Sequence, residues 1–122
     1  MYITSVLKSR AELRAAYNKL ADLNKRVRNQ ALFDALTGLP NRPMFFDRLS
    51  KELSRARRND ELVALLFIDL DGFKQVNDQF GHEAGDVALK TVALRWRAIV
   101  RGSDSIARLG GDEFAVVVGK LD

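Results

Sequence analysis

Two glycines in succession, Gly110 and Gly111, separate the apolar runs Ser105-Ile106-Ala107-Arg108-Leu109 and Phe114-Ala115-Val116-Val117-Val118. Nothing else in the chain limits its fold as tightly. Short β-type runs joined through residues that tolerate positive φ form an antiparallel hairpin with a tight turn. The turn carries Asp112 and Glu113 side by side, and solvation of a loop tip accounts for one acid more readily than for two. A second acid pair, Asp69 and Asp71, ends the other strong β-type run, Leu62 to Ile68. That run is apolar on both faces and is expected to be central in its sheet. Carboxylates at a strand end, facing carboxylates on a neighbouring hairpin, form a donor set that holds a divalent cation against a nucleotide triphosphate.

Around these strands the chain reads as helical. From about Ser5 to Gln30 it contains neither Gly nor Pro. Val6, Leu13, Leu20 and Val27 recur at heptad spacing, with Ala16 and Leu23 at two d positions and the polar Ser9 and Gln30 at the others. This is the seam of a parallel coiled coil. A helix of about 26 residues would be ~39 Å long, more than so small a domain buries. A single amphipathic helix lying on its own domain is the competing reading. Thr37-Gly38-Leu39-Pro40 interrupts the helix, and a second helix is expected from about Pro43 to Arg58 with Phe45, Phe46, Leu49 and Leu53 in the core. Asp71 to Phe80 reads as a helical segment or turn. A further helix runs from about Ala84 to Val100, with Val87, Ala88, Val92, Trp96 and Ile99 inward, and Gly102-Ser103 leads out of it. The expected order is α-α-β-α-α-β-β, an α/β (α+β) domain from 34 to 122 behind a helix over 1–33.

Composition narrows the class. The chain of 122 residues is 47% hydrophobic and 30% charged, which suits one modest core and neither a disordered nor a membrane-spanning chain. No apolar run approaches the roughly 20 residues of a bilayer span, and Thr4, Ser5, Lys8 and Arg10 interrupt any signal-peptide core. The absence of cysteine rules out disulfides and thiolate metal sites and fits a cytoplasmic setting. The net charge of +4 sits mostly on the first helix and on Lys51, Arg55, Arg57 and Arg58 with little aromatic interleaving, so nucleic acid is not the expected partner.

Four segments, in order, carry a family resemblance: Asp34-Ala35-Leu36-Thr37-Gly38-Leu39-Pro40-Asn41-Arg42, Asp69-Leu70-Asp71-Gly72-Phe73-Lys74-Gln75-Val76-Asn77-Asp78, Gly81-His82-Glu83-Ala84-Gly85-Asp86, and Gly110-Gly111-Asp112-Glu113-Phe114. Together they resemble the GGDEF family, the diguanylate cyclases that condense two GTP into cyclic di-GMP. The resemblance implies a nucleotidyl-cyclase, palm-like fold. It also implies that Asp69, the Leu70 carbonyl and Asp112 hold Mg²⁺ (or Mn²⁺), and that Glu113 either assists deprotonation of the attacking 3′-hydroxyl or holds a second metal. Gly72, Phe73 and Lys74 would meet the phosphates, through backbone amides and one cationic side chain. Asn77 and Asp86 would read guanine; the alternative makes both caps of flanking helices, and Asp86 standing alone reads equally either way. Asp71 and Asp78 are expected to support the loop and cap the helix, and the lone His82 to serve structure at a helix start.

Arg101-Gly102-Ser103-Asp104 stands five residues before the Gly-Gly turn. It matches the family's RxxD inhibitory site for cyclic di-GMP, with Arg108 assisting; an Arg and an Asp at such a turn also serve as a cap. The family's reaction joins two GTP-loaded subunits, so the resemblance implies a homodimer driven by an upstream sensor not contained in this chain. Measured against the family's βααββαβαβ order, the chain covers about the first half of the domain. A fragment inactive on its own is therefore expected, with Phe114 to Val118 a poorly protected edge strand. The rival readings are a non-catalytic receptor for GTP or cyclic di-GMP, and a dimerisation fragment.

Overall fold

The computed structural model describes the backbone of residues 2–121 and the side chains of residues 9–121. Its elements run α1 (Tyr2–Leu32), α2 (Arg42–Asn59), β1 (Leu62–Asp69), α3 (Phe73–Phe80), α4 (His82–Ile99), β2 (Ser105–Gly110) and β3 (Glu113–Leu121), the order expected from the sequence. The backbone separates into two compact units, 1–31 and 32–122. Among the described residues no helix is long and apolar enough to cross a membrane.

Helix α1 extends the Gly- and Pro-free run to both sides. Along it Leu13, Leu20, Leu23 and Val27 are all exposed in the single chain; the side chain of Val6 lies outside the described residues. In the second unit, Asp34 to Pro40 closes on itself. The Asp34 amide donates to the Leu39 carbonyl at 2.7 Å and the Gly38 amide to the Asp34 carbonyl at 2.8 Å. Asp34 Oδ2 accepts from both the amide and the hydroxyl of Thr37, at 2.9 and 2.7 Å. Gly38 has φ +72°, a conformation that a side chain disfavours. The loop delivers Leu39 into the core and Asn41 to the start of α2, where its Oδ1 caps the Met44 amide at 3.2 Å.

The three strands pair antiparallel in the order β1-β3-β2. This corrects two expectations: β1 is an edge strand of this sheet, and β3, with Phe114 to Val118, is its middle. Alternation along β3 gives the reason. Phe114 and Val116 pack on one face with Leu39, Leu89, Ala93 and Ile106, while Ala115 and Val117 pack on the other with Phe45 and Ala107. Trp96 meets Phe114 edge to face, centroids 5.1 Å apart. By contrast Leu62, Leu65, Leu66 and Phe67 on β1 are exposed, so apolarity on both faces did not make that strand central here.

The helix stripes are also rotated from expectation. On α2 the buried residues are Phe45 and Ala56, with Phe46 and Leu53 about half exposed. On α4 the inward line is Gly85, Leu89 and Ala93, with Trp96 packed beside it, whereas Val87 and Ile99 face solvent.

Candidate active site

Pairing of β1 with β3 assembles the acids. Asp69, the last residue of β1, stands opposite Glu113, the first of β3. One residue further on, the Leu70 amide donates to the Asp112 carbonyl at 3.3 Å, which ties the hairpin tip to the segment leaving β1. Gly111 makes the turn with φ +52°, a left-handed position that suits glycine. Asp69 and Glu113 are exposed and Asp112 is half-buried. The acidic corner opens on a cleft lined by Asp69, Glu113, Phe67, Leu109 and Arg42. Arg42 is a residue the sequence reading did not place there. The sequence signal was its position after Asn41, the cap that fixes where α2 begins.

Among the described residues no three acidic or histidine side chains converge closely enough to enclose a cation. The donor set still fits a hard divalent ion of the Mg²⁺ type, which takes one or two carboxylates and completes its shell with water and phosphate oxygens. Asp69, Asp112 and Glu113 stand at one sheet edge. The Leu70 carbonyl accepts only a long bond, from the Phe73 amide at 3.4 Å, which leaves acceptor capacity on that oxygen.

Beyond β1 the chain turns at Gly72, φ +78°, into α3 with no side chain capping its start. The Phe73 amide donates to the Leu70 carbonyl and the Val76 amide to the Gly72 carbonyl at 3.1 Å, so the amides left for an anion are those of Lys74 and Gln75, with the Lys74 side chain exposed beside them. Neither Asp71 nor Asp78 caps α3, contrary to expectation, because Gly72 and Gly81 occupy its two cap positions and Asp78 lies within the helix. Gly81, φ +92°, joins α3 to α4 and serves as the N-cap of α4, again without a side-chain bond. Asn77 and Asp86 are thus not capping these helices with their side chains. His82 is the exposed first residue of α4. Asn77 is half-buried, and its Oδ1 is fully enclosed with no hydrogen-bond partner. It rests against Gly85, where an added Cβ would overlap it. Gly85 immediately precedes the exposed Asp86.

The Arg101–Asp104 pair forms a closed polar knot. Asp104 Oδ2 accepts from the Arg101 amide at 3.1 Å and from Nε at 3.3 Å, and Oδ1 accepts from the Gly119 amide at 3.3 Å. Arg101 Nη2 donates to the Gly119 carbonyl at 3.2 Å. Burial by itself would raise the Asp104 carboxyl, but the Arg101 guanidinium with the Arg101 and Gly119 amides holds it below the usual carboxylate range. The Asp104 side chain is 6% exposed and that of Arg101 58%, so Arg101 is the accessible member of the pair. Arg108, expected to assist here, has other partners. Its Nη1 donates to Asp34 Oδ1 at 2.9 Å and its Nε to the Gly111 carbonyl at 3.0 Å.

Comparison with known proteins follows the same segments. Residues 31–122 match the family described as "Diguanylate cyclase, GGDEF domain". The chain is 51% identical over 118 residues to the bifunctional diguanylate cyclase/cyclic di-GMP phosphodiesterase MucR of Pseudomonas aeruginosa, covering 95% of this chain and 17% of that protein. It is 49% identical over 110 residues to the diguanylate cyclase TpbB of the same organism, covering 90% of this chain and 25% of that protein. Among solved structures, the coiled coil and GGDEF domain of DgcB from Caulobacter crescentus, in complex with c-di-GMP, superposes with a TM-score of 0.82 at 33% identity. That match covers 91% of this chain and 59% of the other. A GGDEF-only form of TpbB gives 0.71 at 53% identity, covering 73% and 52%. The chain therefore spans a quarter or less of the full length of these two curated relatives.

Proposed function

The chain belongs to the GGDEF family of diguanylate cyclase domains, and from that membership we propose that it forms the GTP-binding, metal-binding part of a diguanylate cyclase. In the reaction each 3′-hydroxyl of two bound GTP molecules attacks the α-phosphate of the other. Two phosphodiester bonds form, two pyrophosphates leave, and each hydroxyl gives up a proton. A Mg²⁺ or Mn²⁺ ion held by Asp69, Asp112 and the Leu70 carbonyl would supply Lewis-acid polarisation of the α-phosphate.

The residues divide the remaining work. The Lys74 and Gln75 amides at the start of α3 and the Lys74 ammonium bind the triphosphate, placing its α-phosphate at the acidic corner. Glu113, opposite Asp69 in the β1–β3 register, is exposed and able to accept the hydroxyl proton or to complete the cation's ligand set. Asp86 accepts from the N1–H and N2 amine of guanine, and Asn77 pairs at N2 or N3. Adenine does not offer the same donors, and unpaired polar groups in such a site reject the wrong base steeply.

One domain carries half of the reaction, so a second copy is required. The exposed line Leu13, Leu20, Leu23 and Val27 on α1 supports a parallel coiled-coil homodimer. The coiled coil named for the DgcB structure supports it further, as does the role such a stalk would have in passing a signal from an upstream sensor. Exposed Arg101, set on buried Asp104, supports the reading that cyclic di-GMP docks there as a product inhibitor. Arg108 would have to leave Asp34 and Gly111 to join it. A cytoplasmic location follows from the GTP substrate.

The observation that carries this reading is the pairing of Asp69 with Glu113, one residue from the Leu70–Asp112 bond. The full-length protein, incubated with GTP and Mg²⁺, should release two pyrophosphates per cyclic di-GMP formed. GTP binding without pyrophosphate release would favour a nucleotide receptor instead.

A further inference from the structure

A glycine inside a helix is unfavourable by about 1 kcal/mol relative to alanine, and its presence there marks a close approach. Gly85 is buried in the first half of α4. A Cβ built on it would overlap Asn77 Oδ1 and lie 2.8 Å from Asn77 Cγ and 3.4 Å from Nδ2. The three nearest atoms all belong to the amide of that one side chain. The missing side chain at position 85 therefore leaves room for the Asn77 amide.

The amide oxygen is held by shape rather than by a bond. It is enclosed and has no hydrogen-bond partner, and a buried acceptor left unpaired is costly. The backbone at the same junction is satisfied: the Gly81 amide donates to the Asn77 carbonyl at 2.8 Å and the Gly85 amide to the Gly81 carbonyl at 3.3 Å. Asp86, the second proposed guanine reader, follows Gly85 directly on the same turn of α4.

We propose that Gly85 is the positioning residue for base recognition: its missing side chain seats the Asn77 amide against α4 beside Asp86, so that both address one purine edge. This rests on the reading of Asn77 as a guanine contact. The restriction is steric and acts on nucleotide binding, not on the acids at the hairpin.

The test is a cycle of G85A, N77A and the double variant in the full-length protein, with GTP steady-state kinetics and thermal melts. N77A should raise the KM for GTP on the order of tenfold, the scale of a lost hydrogen bond, with kcat little changed. G85A should raise it similarly, and the double variant should be no worse than N77A alone. Truncation at 77 removes the three atoms nearest the new methyl, so the double variant should melt no lower than N77A even where G85A melts early. A normal KM in G85A beside a raised one in N77A overturns the inference and leaves the guanine reading standing. KM effects that multiply in the double variant also overturn it. A normal KM and GTP preference in N77A overturn the guanine reading of that residue, and the inference with it.

Discussion

Arg108 and Asp34, 74 positions apart in the chain, are joined by an ion pair of 2.9 Å between Nη1 and Oδ1. Both side chains are more than four-fifths buried. The same guanidinium donates through Nε to the carbonyl of Gly111, and the Arg108 amide donates to the Pro40 carbonyl at 3.0 Å. One arginine thus binds the loop that opens the domain to the tip of the acidic hairpin. From the other side, the Leu70 amide holds the Asp112 carbonyl.

Removing either partner leaves the other poorly solvated. R108A and D34A are each expected to destabilise the protein by about 1–3 kcal/mol, and the double variant by less than the sum. Lysine lacks the planar fork needed to reach Asp34 and Gly111 together, so R108K should recover only part of the loss. Chemical denaturation of the unaltered protein and the four variants checks this; fully additive effects would show that the pair contributes nothing jointly.

Base selectivity gives a second expectation. In competition binding to the full-length protein, ATP should displace labelled GTP poorly, and D86A should lose most of that discrimination by weakening GTP rather than strengthening ATP. Equal competition by ATP in the unaltered protein would remove the guanine assignment.

Much of this was legible in the sequence, for reasons particular residues show. The Gly-Gly turn and the long interval without Gly or Pro fixed the hairpin and α1, because those residues act locally on φ and on helix continuity. Helix phase was less legible. On α4, Val87, Ala88, Leu89, Val92, Ala93, Leu94, Trp96 and Ile99 are apolar at so many spacings that several stripes fit, and packing chose the one through Gly85, Leu89 and Ala93. Strand order is a long-range property, and the apolar character of β1 did not reveal that β3 would lie between it and β2. The partners of Arg108 were invisible for the same reason.

The Arg101–Asp104 knot makes a pH-dependent prediction. The Asp104 carboxyl is lowered in the folded protein, so its stabilising contribution is complete above the unfolded carboxylate value, about 3.9. That contribution is lost as pH falls through the lower folded value. D104N should be less stable at neutral pH and lose less on acidification. In the same protein R101A should relieve inhibition by cyclic di-GMP while leaving the KM for GTP unchanged. Inhibition that persists in R101A would leave Arg101 a structural partner of Asp104 and Gly119.

Association through α1 is tested by charge on the seam. Leu20 is 56% exposed in the single chain, so L20D should not disturb the fold of residues 32–122. At an apolar coiled-coil position the aspartate is expected to weaken dimerisation by more than tenfold, since an unpaired charge would be desolvated there. Sedimentation velocity checks it, and an unchanged dimer would place the interface elsewhere.

The acidic corner is the centre of the account. Asp69 and Asp112 are replaced separately by asparagine in the full-length protein, which keeps side-chain size while removing the charge a cation requires. The measurement is Mg²⁺-dependent pyrophosphate release from GTP, with circular dichroism on the same samples. Both variants should keep their helical signal and lose at least about a hundredfold in turnover, the scale of removing a charge-stabilising group at a reacting centre. Near-normal turnover in either folded variant would contradict the assignment of these two carboxylates to the metal site.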